Sequence, residues 1–151
     1  MERVTVQTEA FDAGAIIDDV RRDNPKVGAV TAFVGLVRDI NDARGVARMT
    51  LEHYPGMTER SIEAIIDEAA SRWEVLDARV VHRVGPLEPT DPIVLVAVAS
   101  GHRRDAFEAC EFIMDYLKTR APFWKKEETD DGSRWVASRE SDTDAAKRWE
   151  R

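Results

Sequence analysis

Lys118-Thr119-Arg120-Ala121-Pro122-Phe123-Trp124-Lys125-Lys126 sets a helix end and the start of an extended segment on either side of a proline. Proline has no N–H to continue a helix and pushes the residue before it out of helical geometry. Upstream, Arg103 to Arg120 is the longest predicted helix. Its Glu108, Glu111, Asp115 and Lys118 step by three, four and three into one polar stripe. Phe107, Cys110, Phe112, Ile113, Met114, Tyr116 and Leu117 take up most of the remaining surface, which predicts burial on several sides. Downstream, Phe123 to Glu128 and Arg134 to Ala137 can pair as a hairpin around Asp130-Asp131-Gly132. Ser141 then caps a short terminal helix through Trp149.

Further toward the N-terminus, strands and helices mix. Arg3 to Thr8 alternates like a strand, and Phe11 to Arg22 is a first helix with Asp12 as its N-cap. Val27 to Val37 is apolar and β-branched, a buried strand interrupted by Gly28 and Gly35. Arg38 to Val46 is polar and reads as a mobile loop, and Arg48 to His53 is another strand. Thr58 stands where it could cap a second helix, with Ile62, Ile65, Ile66 and Ala69 on one face. Ser61, not Glu or Gln, follows three residues later, so no capping box opens at Thr58. Ala78 to Val84 and Ile93 to Ser100 are strands joined by a turn-rich connection, Gly85 to Pro92. Strands and helices do not alternate strictly, which favours an α+β fold over a doubly wound sheet.

At 151 residues the chain has room for one domain, spanning 1–151. The N-terminus lacks an apolar signal-peptide core, and the run Ile93 to Ala99 is far short of the roughly 20 residues of a membrane span. The cytoplasm is therefore the expected address. Cys110 is the single cysteine, which excludes an internal disulfide and a Cys-rich metal site. The formal net charge of -7 argues against nucleic acid as a partner, yet Lys118 to Lys126 holds four cations and no acid. Lys118 and Lys125 lie on different elements, so their amines can converge on a compact anion or a reacting carbonyl.

The motifs Thr31-Ala32-Phe33-Val34-Gly35-Leu36-Val37-Arg38, Leu51-Glu52-His53-Tyr54-Pro55-Gly56-Met57, His82-Arg83-Val84-Gly85, His102-Arg103 and Tyr116 to Lys126 occur in this order. In that order they resemble the large, catalytic subunit of molybdopterin synthase, from about Val27 to Ala145-Ala146-Lys147-Arg148-Trp149. The resemblance implies a hammerhead-type α+β fold with a mixed or antiparallel sheet and packed helices. It implies a homodimer in which each protomer binds a small ubiquitin-like sulfur carrier, giving a heterotetramer with two carriers. The carrier's Gly-Gly C-terminus, as a thiocarboxylate, would sulfurate cyclic pyranopterin monophosphate to make the dithiolene of molybdopterin. No metal, cofactor or membrane is implied.

At matching positions, Lys118 and Lys125 would be the catalytic lysines and would also contact substrate. Arg38, His102 and Arg103 would hold the pterin and its phosphate, while Leu36, Val37, Lys126 and Glu127 would line the site, partly through backbone. Thr90 stands where relatives usually have glycine, in a turn remote from the lysines, and Gly101 where a larger residue often precedes the histidine.

The residues themselves are compatible with this chemistry. Cys110 lies in an apolar helix face and reads as a small hydrophobe, so sulfur has to arrive from outside. A lysine ammonium can stabilise charge developing at an acyl carbon, and a neutral amine can move protons. Plainer readings exist for each residue. Lys118 could complement the helix dipole and pair with Asp115. Lys125 and Lys126 could be solvated strand charges. His102 could merely cap its helix, whereas Arg103 at a helix N-terminus suits a phosphate partner. His53 and His82 lack metal-site spacing and read as structural, and Phe123 and Trp124 as core or interface. Rival classes are a single-strand nucleic-acid module, a noncatalytic dimer scaffold and, least supported, a metal hydrolase.

Overall fold

The apolar run Ile93 to Ala99 becomes an inner strand of a four-stranded sheet, and the rest of the chain is arranged around it. The computed structural model describes residues 2–38, 40–41, 44–45, 48–129, 132–136 and 140–150. The elements in order are β1 (Val4–Gln7), α1 (Ala13–Arg21), β2 (Ala29–Leu36), β3 (Ile40–Asn41), β4 (Arg44–Gly45), β5 (Arg48–His53) and α2 (Met57–Arg72). They continue with β6 (Asp77–Arg83), β7 (Gly85–Leu87), β8 (Pro92–Ser100), α3 (Arg103–Leu117), β9 (Phe123–Thr129), β10 (Gly132–Val136) and α4 (Glu140–Lys147). The architecture is α+β, as expected.

The first sheet has the order β1-β6-β8-β2 and is mixed: β1 is parallel to β6, and the other pairs are antiparallel. Strand alternation sends Val94, Val96 and Val98 to one face, where Val80 joins them against Ile62, Ile65 and Ile66 of α2 and Phe112 and Ile113 of α3. Leu95, Ala97 and Ala99 face the other way, with Val81, against Ile16 and Val20 of α1. A strand covered on both faces reads as an unbroken apolar run, which is why Ile93 to Ala99 shows no polar alternation. Each large side chain so buried contributes about 1.5–3 kcal/mol; Leu95→Ala would cost about 2–5 kcal/mol. Asp12 caps α1, its Oδ1 accepting from Ala15 N at 3.1 Å.

The second sheet has the order β10-β9-β5-β7 and is antiparallel throughout. A third apolar cluster of Val37, Met49, Leu51, Val84 and Leu87 joins it to the first sheet, with Val6, Ile93 and Phe123 packed alongside.

Six expectations change. The Val27 to Val37 segment is an edge strand, not a buried one: Phe33, Val34 and Leu36 are 43%, 38% and 53% exposed. Its composition reflects β-branched packing against β8 on one side only. The connection after Val84 contains β7, which pairs with β5 from Met49 to Leu51. The expected loop after Arg38 carries the β3–β4 ladder, and its residues 39, 42, 43 and 46 lie outside the described residues. Helix α2 is capped at Gly56, and Glu59 Oε1 accepts Gly56 N at 3.0 Å, which leaves Thr58 inside the first turn. Phe107 is 61% exposed, so α3 is not covered on that side. The β9–β10 hairpin forms, while Asp130, Asp131 and Ala137 lie outside the described residues. Ser141 falls inside α4 instead of capping it.

Candidate active site

The lysine segment leaves α3 through a short, well-bonded link. Lys118 N donates to Met114 O at 3.3 Å, and Thr119 N and Arg120 N both donate to Tyr116 O, at 3.2 and 2.8 Å. Phe123 N then donates to Ala121 O at 3.0 Å, a three-residue turn centred on Pro122. Along β9 the side chains alternate. Phe123, Lys125 and Glu127 stand opposite His53, Leu51 and Met49, and Trp124, Lys126 and Glu128 opposite Glu52, Thr50 and Arg48. The first set is the inner one: Glu127 is 2% exposed and Trp124 is 49%. Lys125 therefore faces inward, and Lys126 outward with Trp135, whose ring centroid is 5.9 Å from its Nζ.

The four cations divide by partner. The Arg120 guanidinium lies 3.8 Å over the Tyr116 ring and 3.0 Å from Glu68. Asp115 accepts from Arg148 at 3.1 Å and from Trp149 Nε1 at 2.6 Å, so it is engaged by the C-terminal segment and not by Lys118. Burial raises the pKa of the Asp115 carboxyl and the Trp149 bond opposes that rise. Among the described residues Lys118 forms no ion pair, and its side chain is exposed at the helix end. Pairing with Asp115 does not account for this lysine, which stands at the C-cap of α3.

Two groups that sequence reasoning set aside stand beside the lysines. The His82 ring stacks on Phe123 with centroids 3.9 Å apart and planes 19° apart, joining β6 to the start of β9. His82 Nδ1 is 2.8 Å from Arg83 O, which makes Nδ1 the protonated nitrogen. Burial pushes the His82 pKa down to about 4; the Arg83 carbonyl opposes this, and the charges of Lys118 and His53 add to it. Thr58, fully buried, accepts from Tyr54 N and donates to Pro122 O, both at 2.9 Å. The Tyr54-Pro55-Gly56-Met57 motif was the available signal for this contact, but nothing in its spacing names Pro122.

Val37 packs in the third cluster with Leu51 and Phe123, so Leu36, Val37 and the exposed Arg38 end at the same junction as Lys125. Val37 is also clasped by the turn after β7: Val37 N donates to Asp91 O at 3.0 Å and Thr90 N to Val37 O at 2.8 Å. The Thr90 turn thus holds the strand that leads into Arg38.

His102 and Arg103 are elsewhere. They open α3, whose 15 residues separate them from Lys118 by about 22 Å along the axis. One protomer therefore does not bring all the predicted residues together. His102 occupies the N-cap position of α3, its carbonyl accepting from Ala106 N at 3.2 Å, but its side chain makes no cap bond. Gly101 is tied down, not loose: its N–H donates to Glu74 Oε1 at 2.8 Å, while Glu74 N donates to Asp105 Oδ2 at 2.9 Å. Cys110 is 4% exposed, with Sγ 3.7 Å from Val96 O, and burial pushes its thiol up to about 12. No His/Cys/Asp/Glu group among the described residues could hold a metal, and no described helix is long and apolar enough to cross a membrane.

Comparison with known proteins places this geometry in a family. The family model described as MoaE protein matches residues 6–120. The chain is 59% identical over 149 residues to a molybdopterin synthase catalytic subunit of Ralstonia nicotianae, covering 99% of this chain and 85% of the relative. It is 56% identical over 147 residues to that of Pseudomonas aeruginosa, covering 97% and 98%. A molybdopterin biosynthesis MoaE protein from Burkholderia ambifaria superposes with a TM-score of 0.85 at 54% identity, covering 100% of this chain and 99% of the other. Matched by the family model over most of its length and more than half identical to such relatives, the chain belongs to the MoaE family, as an enzyme subunit of molybdenum cofactor biosynthesis.

Proposed function

We propose that this chain transfers sulfur from the C-terminal thiocarboxylate of a small ubiquitin-like carrier to cyclic pyranopterin monophosphate, with Lys118 and Lys125 as its catalytic lysines. One observation carries the reading. The only cysteine is buried and held as a thiol, while Lys118, seven residues before the inward-facing Lys125, stays exposed and without an ion pair among the described residues. Sulfur must then come from a partner, and the protein supplies charge and proton movement around it. Each transfer exchanges one sulfur for one oxygen. The carrier's acyl carbon–sulfur bond breaks, a carbon–sulfur bond forms on the pterin side chain, and the oxygen ends on the acyl carbon as a carboxylate. No net oxidation or reduction is needed.

Lys118 or Lys125, as an ammonium, stabilises the oxyanion that forms as the acyl carbon is attacked, and the other lysine moves the proton. Arg38 holds pterin oxygens at the junction, with Leu36, Val37, Lys126 and the buried Glu127 lining the site. His102 and Arg103 suit the phosphate, because backbone N–H groups at a helix N-terminus favour an anion. Their separation from Lys118 is resolved by a homodimer in which the partner's His102 and Arg103 face this protomer's lysines. The exposed edge β2, with Phe33 and Val34, is the surface for such pairing. With one carrier on each protomer, the assembly is a heterotetramer, and the work takes place in the cytoplasm.

The deciding experiment is incubation with thiocarboxylated carrier and the cyclic pterin. Dithiolene product in proportion to carrier consumed is expected. Product formed from free sulfide as readily as from carrier would overturn the reading.

A further inference from the structure

We infer that Thr58 is a positioning residue of the two-lysine site, its hydroxyl fixing the link that sets Lys118 and Lys125 relative to each other. The inference rests on the proposed sulfur transfer for its activity arm, but its geometry is independent of it. Thr58 is 0% exposed, and its backbone N–H already donates to Tyr54 O at 2.9 Å. Its hydroxyl then accepts from Tyr54 N and donates to Pro122 O. Only a hydroxyl can accept from one backbone group and donate to another from a single atom in that space.

Pro122 is four residues after Lys118 and three before Lys125. Having no N–H, it cannot itself anchor the link by donating. Its carbonyl is the group that ties the link across to α2 and the end of β5. The same link is held from the other side by the His82 ring on Phe123. Thr58 and His82 thus grip consecutive residues, Pro122 and Phe123, between the two lysines. The Leu51-Glu52-His53-Tyr54-Pro55-Gly56-Met57 motif, which supplies no reacting group, is accounted for as the frame of this grip.

Valine at position 58 keeps the shape and β-branching of threonine but leaves Tyr54 N–H and Pro122 C=O without their shared partner. A misplacement of about 1 Å at a reacting group can cost a hundredfold in rate. For Thr58→Val, kcat should therefore fall about tenfold to a hundredfold with KM for the pterin within twofold of wild type. Thr58→Ser, which restores the hydroxyl, should recover kcat to within about threefold. Hydrogen exchange by mass spectrometry supplies a readout free of turnover: amides of 119–125 should exchange at least about tenfold faster in Thr58→Val, with α1 unchanged and Thr58→Ser like wild type.

A folded Thr58→Val with kcat within twofold of wild type and unaltered exchange at 119–125 would overturn the inference. So would a folded Thr58→Ser no faster than Thr58→Val. If Thr58→Val does not fold, Thr58→Ala takes its place; if neither folds, Thr58 is a residue of the fold alone and the inference is wrong. If wild type makes no product with thiocarboxylated carrier, the proposed function fails, and the exchange comparison still judges Thr58.

Discussion

Lys118 sits at an exposed helix end with no ion pair among the described residues, so truncating it should leave stability nearly unchanged. Lys118→Ala is expected to lower product formation by about a hundredfold or more at an unaltered melting temperature. Lys125→Ala should come second, and Lys126→Ala, whose side chain faces outward beside Trp135, should do least. Normal turnover by a folded Lys118→Ala would remove the lysine from the chemistry. His82 makes a pH prediction at the same scale. Its folded pKa of about 4 lies below the ordinary histidine value of 6.5 because burial disfavours the charged ring. Between these values the unfolded chain binds the proton and the folded chain does not, so stability is full above about 6.5 and is lost as pH falls toward 4. From pH 7 to pH 5 the loss from this one group is about 2 kcal/mol. His82→Phe can keep the stack on Phe123 without the titration. Urea unfolding at the two pH values should show that much less acid destabilisation in the variant than in wild type. Equal losses in both would mean that His82 does not titrate as its burial requires.

Among the elements, the turn before β8 carries strain that can be removed. Thr90 has φ 77, a left-handed conformation in which a β-branched side chain crowds its own backbone. It is held there because its N–H closes on Val37 O while Asp91 Oδ2 accepts Glu88 N at 2.9 Å. Glycine keeps those backbone bonds without the clash, so Thr90→Gly should stabilise the fold by about 1 kcal/mol. A melting temperature unchanged or lowered would show that the turn has relaxed around threonine. Elements with one strong period were legible in the sequence: Asp12 announced α1, Arg48 to His53 read as the strand it is, and α3 began where predicted. Elements defined by a distant partner were not. β7 exists because Gly85 to Leu87 lies along β5, and β2 looks buried by composition because only its neighbours determine that it is an edge. The polar stripe of α3 was visible, but its partners Trp73, Arg148 and Trp149, each far away in sequence, were not.

For the whole molecule, the candidate site was legible where its side chains stand in one short segment, and obscure where tertiary contacts assemble it. Lys118 and Lys125 could be named from their spacing and resemblance; Thr58 and His82 could not, since their link to the lysines runs through Pro122 and Phe123. The separation of His102 and Arg103 from Lys118 by the length of α3 makes the assembly testable. If each site takes its lysines from one protomer and its phosphate-binding pair from the other, two different inactive variants can rescue each other. Lys118→Ala and the double variant His102→Ala/Arg103→Ala should each be nearly inactive at low substrate. In a heterodimer one site carries both lesions and the other carries neither. With random pairing of equal amounts, half the dimers are mixed and half of their sites are intact, which predicts about a quarter of wild-type activity. Phe33→Glu on the edge strand, combined with either variant, should abolish the rescue by preventing subunit pairing. Light scattering confirms exchange and dimer loss independently of turnover. Mixed dimers that form but stay inactive would place both sets of residues in one protomer or remove the α3 N-terminus from the reaction.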